Sequence, residues 1–482
     1  MTGQCATQMT GKILIMIDKV APSAIQALAD LWALGGGDPG ALNDITLTGD
    51  EPALSSVFRV GTVAQATIGA ASLAAAELWR SRTGRRQQVS LSIRDAAVSF
   101  RSELYTTVIG REPEDYFAAI SGYYQTRDDR WVQLHCQFPH LRDGVLRVLG
   151  CNNDRTEVER AVAQWDGLAL ETRCREDRLC VALIRSPEEW KAHPQAQALA
   201  GLPVFELIKI GEAPPEPLPE NAERPLSGVR VLDLTKVIAG PVCGRTLASH
   251  GAEVIRIGAR HLPFLEPLVM DTGFGKRSAF LDLREESERE TLRGMARGAD
   301  VFVQGYRPGT ITERGFSPKD VAALRPGIVY VTLSAYSHEG PWKTWRGFDS
   351  LTQCASGIVH EGMIAAGTGK PHPLPCQALD HGTGYLAAFG AMLALKKRAE
   401  EGGSWMVRVS LAQTGRWVDG LGRVDGMAVK NPEAVDVTDL LEQHDSPWGK
   451  VSHVKSPEVL SETPPRWDLG PVPLGTHPAA WS

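Results

Sequence analysis

Between Val229 and Leu333 the chain alternates short β-branched runs with helix-like stretches, and the joins are only a few residues long. Val229–Leu234 reads as a strand, Gly240–His250 as a helix closed by Gly251, and Glu253–Ile257 as the next strand. A further helix over Glu285–Arg297 leads to Val301–Val303, and Ile328–Leu333 is another strand. Helices between consecutive strands mean βαβ units, so these strands form a parallel sheet. Ligands of such sheets collect beyond the carboxyl ends of the strands. That rule selects three loops: Thr235–Pro241, Gln304–Gly309 and Ser334–Pro341.

Around this unit the chain divides into five parts. Residues 1–115 form an N-terminal segment and 116–210 a smaller α+β domain. A proline-rich, acidic linker covers 211–224, the sheet domain 225–420, and a polar, proline-rich wrapping tail 421–482. The fold class expected is therefore α/β, a Rossmann-like parallel sheet with a smaller domain and long connecting segments. The opening run Lys12–Ile17 is too short for a signal sequence and reads as a strand. No apolar run approaches the roughly 20 residues that span a bilayer. With 51 Lys and Arg against 57 Asp and Glu, the formal charge of -6 argues against a nucleic-acid binder. The 8 cysteines include no C-x-x-C pair, which fits a reduced, cytoplasmic protein.

One stretch recurs. Ala64–Arg82 reads like Asp380–Arg398: both are small-residue helices with basic ends. Each is followed by a glycine turn and a strand, Val89–Leu91 or Val409–Leu411. In this pairing Ala64 stands opposite Asp380. On position alone Asp380 reads as a helix N-cap.

Known chemical motifs are missing. There is no G-x-G-x-x-G after a strand, no G-x-S-x-G and no H-E-x-x-H. His135 and His140 read as structural rather than metal-binding, and no metal is expected.

From Arg224 onward the chain resembles the family III CoA-transferases. The residues that carry this are Pro225–Pro241, Gly251–Ile255, Gly275–Ser278 with Leu281–Leu283, and Ala299–Val301. Arg307–Gly309, Gly340-Pro341, Phe348-Asp349 with Gln353, Ser356-Gly357 and Asp380–Gly384 complete the ordered set. The region before the linker is similar to the second half of that family, through Gln88–Leu91, Gly122–Val132 and Arg185–Trp190. The halves therefore stand in swapped order, as fusion or permutation would leave them. One pseudo-dimeric chain and two interlocked chains are both compatible with this.

The resemblance implies a mechanism. In the family an aspartate attacks an acyl-CoA thioester and passes through an aspartyl-CoA thioester; its position here is Asp380. An ordinary carboxylate pKa near 4 would leave it ionised. Small neighbours, Gly382, Gly384 and Ala387, would admit the pantetheine thiol. Coenzyme A is expected as substrate and carrier, with no tightly bound cofactor. Lys276, Arg314 and Arg346 match family positions that contact it, and Val237 and Ala239, on the Thr235–Pro241 loop, are expected to bind it too. The family's asparagines are replaced by Gly273 and Gly305, and its glutamate is lost near Gly258. The partners implied are an acyl-CoA and a carboxylic acid, with no nucleic acid and no membrane. Two alternatives stay open: an acyl-CoA racemase or isomerase, and a silent CoA-binding protein. Related racemases carry a histidine where this chain has Phe348, which cannot carry a proton.

Overall fold

The computed structural model describes residues 21–112, 118–219 and 222–482. The Lys12–Ile17 strand lies outside them. Seven strands form the central sheet: β1 (Phe205–Gly211), β2 (Arg230–Leu234), β3 (Glu253–Gly258), β4 (Lys276–Phe280), β5 (Val301–Gln304), β6 (Val329–Ser334) and β7 (Ser404–Ser410). Their spatial order is β4-β3-β2-β5-β6-β7-β1. β2 to β7 are parallel, and β1 closes the edge antiparallel to β7. This is a doubly wound sheet whose chain direction reverses between β2 and β5.

The sheet is covered on both faces, which is why its central strands are mostly apolar. Val231, Val254, Val303 and Val331 pack on one side, among helices that include α1 (Val60–Thr83), α2 (Ala239–Ser249) and α3 (Ala378–Glu401). Leu232, Ile255, Phe302 and Tyr330 point the other way, onto the helix Glu286–Arg297 and the turn around Phe316. The alternation follows from the two-residue period of a strand.

A smaller lobe has a three-stranded antiparallel sheet, Gly122–Gln125, Trp131–Leu134 and Val181–Leu183. Its core of Tyr124, Val132, Leu141 and Val158 reaches across to Leu351 and Cys354. A third sheet pairs Ile45–Thr48 in parallel with Val89–Ser92, and Val459–Leu460 adds to it antiparallel. The tail is not featureless. It contains the hairpin Leu441–Ser446 and Gly449–Val454, and then returns to the central sheet, where the His477 N–H donates to Ser278 O at 2.7 Å. The linker is docked as well: Gly403 donates to Ala213 O at 2.9 Å, and Arg325 pairs with Glu216.

α1 and α3 are each 24 residues long and pack against one another. Aligned by their ends, Arg59 with Gln377 and Gly84 with Gly402, they place Thr62 opposite Asp380. The sequence pairing with Ala64 is therefore two residues out of register. Small residues repeat too densely in both helices for composition to fix the frame; the helix ends fix it.

Candidate active site

A cleft of about 400 Å³ lies at the carboxyl ends of the parallel strands, between the central sheet and the smaller lobe. All three loops singled out in the sequence reach it: Lys236, Val237 and Ala239 after β2, Gly305 to Pro308 after β5, Ser334 and Ala335 after β6. The loops after β3 and β4, the Arg346–Phe348 segment and Phe138 to Leu141 of the smaller lobe complete the wall. Asp380 lines it too, and so do Arg314 and Arg346.

Asp380 is the third residue of α3, 8% exposed. A carboxylate from elsewhere holds the helix start: Asp349 Oδ2 accepts the N–H groups of Leu379 at 2.7 Å and Asp380 at 2.9 Å. Those are two of the four amides a helix leaves unpaired. Asp349 is itself fixed by Gln353, whose amide nitrogen donates to its other oxygen. Gln353 in turn accepts the Leu374 N–H at 2.9 Å. On the far side, His381 Nε2 lies 3.0 Å from Glu103 Oε2, and the His381 ring stacks on Phe100.

The electrostatics depart from expectation. Burial pushes the Asp380 carboxyl well above the usual carboxylate range, and the charges of Asp349 and Glu103 push the same way. Asp349 is raised from 3.8 to about 6, by burial against its hydrogen bonds. Asp380 is thus not the freely ionised group its residue type suggests. Two neighbouring carboxylates thus disfavour the ionisation of Asp380.

Lys276 is not in the cleft. It is 1% exposed, and its ammonium donates to Asp233 Oδ2 at 2.7 Å and to Pro241 O at 2.6 Å. It neutralises a buried aspartate on β2 and fastens the first turn of α2. Burial pulls its pKa down to about 8, with Asp233 opposing. The small residues of α3 also serve packing rather than ligand access. A Cβ on Gly384 would come 2.5 Å from Ala239 O, so this glycine lets α2 and α3 touch. Gly382 faces Thr414 and Val63, and Ala387 is fully buried.

Val237 carries φ 71°, a left-handed conformation that costs a β-branched residue energy. It sits between β2 and α2 on the cleft wall.

The cleft gathers basic groups that the sequence reading passed over: Lys236, Arg284 and Arg307. Lys236 and Arg307 lay inside the selected loops, and their charge was the available signal. Burial and neighbouring arginines act on two of them. Burial, then Arg256, pulls Lys236 down to about 8. Burial, then Arg346 and Arg178, lowers Arg307. Arg256 is buried beside them with an Nη1 that has no hydrogen-bond partner. Such a cluster is relieved when an anion enters it. Phe348 also lines the cleft, with its ring stacked 3.8 Å from that of His135.

The acetyl-coenzyme A transferase nodX of Hypoxylon pulicicidum is 31% identical over 352 residues, 68% of this chain and 58% of that protein. An acyl-CoA transferase of Gibberella moniliformis is 30% identical over 314 residues, 60% of this chain and 54% of its own length. The chain thus spans a little over half the length of these curated relatives. Among solved structures, Rv3272 from M. tuberculosis is 30% identical with a TM-score of 0.37, over 41% of this chain and 59% of that one. The sequence pattern described as CoA-transferase family III matches residues 40–205 and again 226–421, one stretch on each side of the linker. With most of its length inside that pattern, the chain belongs to the CoA-transferase family III.

Proposed function

We propose that this protein transfers coenzyme A between an acyl-CoA thioester and a carboxylic acid, with Asp380 as the nucleophile. The observation that carries the reading is the placement of a nearly buried carboxylate on the wall of a cleft that also holds Lys236, Arg307, Arg314 and Arg346. A CoA ester is a polyphosphate joined to a long neutral arm. The basic groups suit the phosphates, and the Asp380 carboxyl suits the thioester carbon.

The steps balance as follows. Ionised Asp380 attacks the acyl carbonyl and expels CoA thiolate, leaving a mixed anhydride. The thiolate attacks the aspartyl carbonyl, releases the donor's carboxylate and leaves an aspartyl-CoA thioester. An acceptor carboxylate attacks that thioester, and the freed thiolate then attacks the acceptor carbonyl of the new anhydride. Asp380 is returned as carboxylate. Each covalent intermediate divides one hard exchange into easier ones, and each would hydrolyse if water reached it. Asp349 holds the attacking residue's helix turn in place, and Lys276 does the same for α2 through Pro241.

The racemase alternative is not favoured, since Phe348 offers no proton at the cleft wall. Trapping tests the proposal. Hydroxylamine added during turnover of an acyl-CoA should convert Asp380 to a hydroxamate, located by peptide mass spectrometry. Active protein with Asp380 unmodified would overturn the reading. Arg346→Ala should raise KM for the CoA ester roughly tenfold with little change in kcat, an effect that shrinks at high salt.

A further inference from the structure

The tail hairpin carries a second cluster, remote from the cleft in its composition and chemistry. Glu442 and His453 stand directly opposite each other across the ladder, and His444 is two residues along from Glu442. Alternation puts all three side chains on one face of the hairpin. His444 Nε2 lies 3.0 Å from Trp467 O, and His453 Nδ1 lies 3.0 Å from Val454 O. A carbonyl only accepts, so these two nitrogens carry the ring protons. In neutral rings the remaining nitrogens, His444 Nδ1 and His453 Nε2, are then bare lone pairs, and they face each other at 2.9 Å.

Two acceptors cannot share that space without a positive centre between them. A carboxylate stands alongside: Glu442 Oε1 is 3.6 Å from His453 Nε2, and the three ligand atoms all lie within 4.8 Å of one another. We propose that Glu442, His444 and His453 form a binding site for a borderline divalent transition metal ion of the zinc type. Two imidazole nitrogens and one carboxylate oxygen are the donors such an ion prefers, with water in the fourth position. Tetrahedral coordination at about 2.1 Å sets ligand atoms roughly 3.4 Å apart. The Glu442–His453 separation is already near that, and the two rings need to part by about half an ångström. The carbonyls of Trp467 and Val454 fix both tautomers, as the outer partners of metal-bound histidines do.

The ion's role would be to hold the tail. Phe274 stacks on His453 at 3.8 Å, just before β4. Trp467 Nε1 donates to Arg245 O at 3.0 Å, and the Gly275 N–H donates to Leu469 O at 2.8 Å. One bound cation would therefore pin the returning tail against α2 and the start of β4. A shared proton is the competing way to relieve the lone pairs.

The test uses the full chain without a polyhistidine tag, stripped by chelator and dialysed against zinc or cobalt. One equivalent retained, a visible cobalt spectrum of a tetrahedral nitrogen–oxygen site, and a thermal midpoint that rises with free zinc are expected. His444→Gln should weaken zinc binding at least about tenfold, and Glu442→Gln, at a more exposed position, should weaken it while keeping the fold. Failure to retain stoichiometric metal would overturn the proposal. So would retention unchanged in both variants, or a metal-free pair shown by NMR to share one proton.

Discussion

α1 and α3 begin alike and end alike, yet only one of them bears a candidate nucleophile. Their entry residues have nearly the same backbone: φ −81° and ψ 62° at Arg59, φ −79° and ψ 61° at Gln377. In both, a distant carboxylate holds the first turn. Glu51 Oε1 accepts the Thr62 N–H at 2.6 Å, as Asp349 Oδ2 accepts that of Asp380. Both lead through a glycine to a strand and then a serine-capped helix, with Ser92 and Ser410 as the caps. The difference lies at the third helical residue and in what surrounds it. Thr62 is 1% exposed beneath a small three-stranded sheet, whereas Asp380 lines the cleft where the loops of a doubly wound sheet converge. One supersecondary unit thus serves packing or presents a carboxylate, according to one side chain and the sheet end beside it.

The largest effect that would break this contrast is at Asp380. Asp380→Asn should lower turnover by roughly 10⁴-fold or more. The same variant should change the pH dependence of stability. Asp380 and Asp349 both bind protons more tightly folded than unfolded. The stability they contribute is complete below pH about 4; the Asp349 share is lost as pH rises through about 6, and the Asp380 share as pH rises through its own raised pKa. Melting temperatures from pH 4 to pH 8 should therefore fall less for Asp380→Asn than for the parent. The reciprocal change, Thr62→Asp, should create no activity and destabilise by about 3 kcal/mol, because it buries an unpaired charge beside Glu51; denaturant unfolding measures it.

The helix pair can also be compared at Gly384 and its counterpart Ala66. Gly384→Ala should cost about 1–3 kcal/mol, since the new methyl meets the backbone of α2. Ala66→Gly should cost only about 1 kcal/mol, the ordinary penalty for glycine in a helix. The smallest effect sharpens the electrostatic side. Ionised Asp380 is the reactive form and its pKa is raised, so the rate should climb with pH through the neutral range. Asp349→Asn removes the largest opposing charge, and the rising limb should move toward acid while the Asn oxygen still accepts the helix amides. A limb that does not move would detach Asp349 from the ionisation of Asp380.

Much of the sheet domain was readable because its strands are buried on both faces. Runs such as Val229–Leu234 and Ile328–Leu333 have no other use for so many apolar, β-branched residues. β1 and β4 were less legible: β1 is a half-exposed edge, and β4 begins with Lys276 and Arg277. The hairpin Leu441–Val454 was missed because its first strand is polar on both sides. Lys276 was misplaced for a physical reason. The family resemblance matched it to a CoA contact, and only the packing shows the buried Asp233 that claims it.

What the residues themselves determined was the alternation of strand and helix, the strand ends at which a ligand gathers, and the aspartate at the head of α3. The first two follow from local chain stiffness and apolar periodicity, which act over a few neighbours; the aspartate was singled out by the family resemblance. The tertiary structure alone decided the register of α1 against α3, the burial of Lys276, and the meeting of Asp349, Glu103 and Asp380 from three distant parts of the chain. Proton affinity depends on solvent and charge within a few ångströms, and sequence distance says nothing about either.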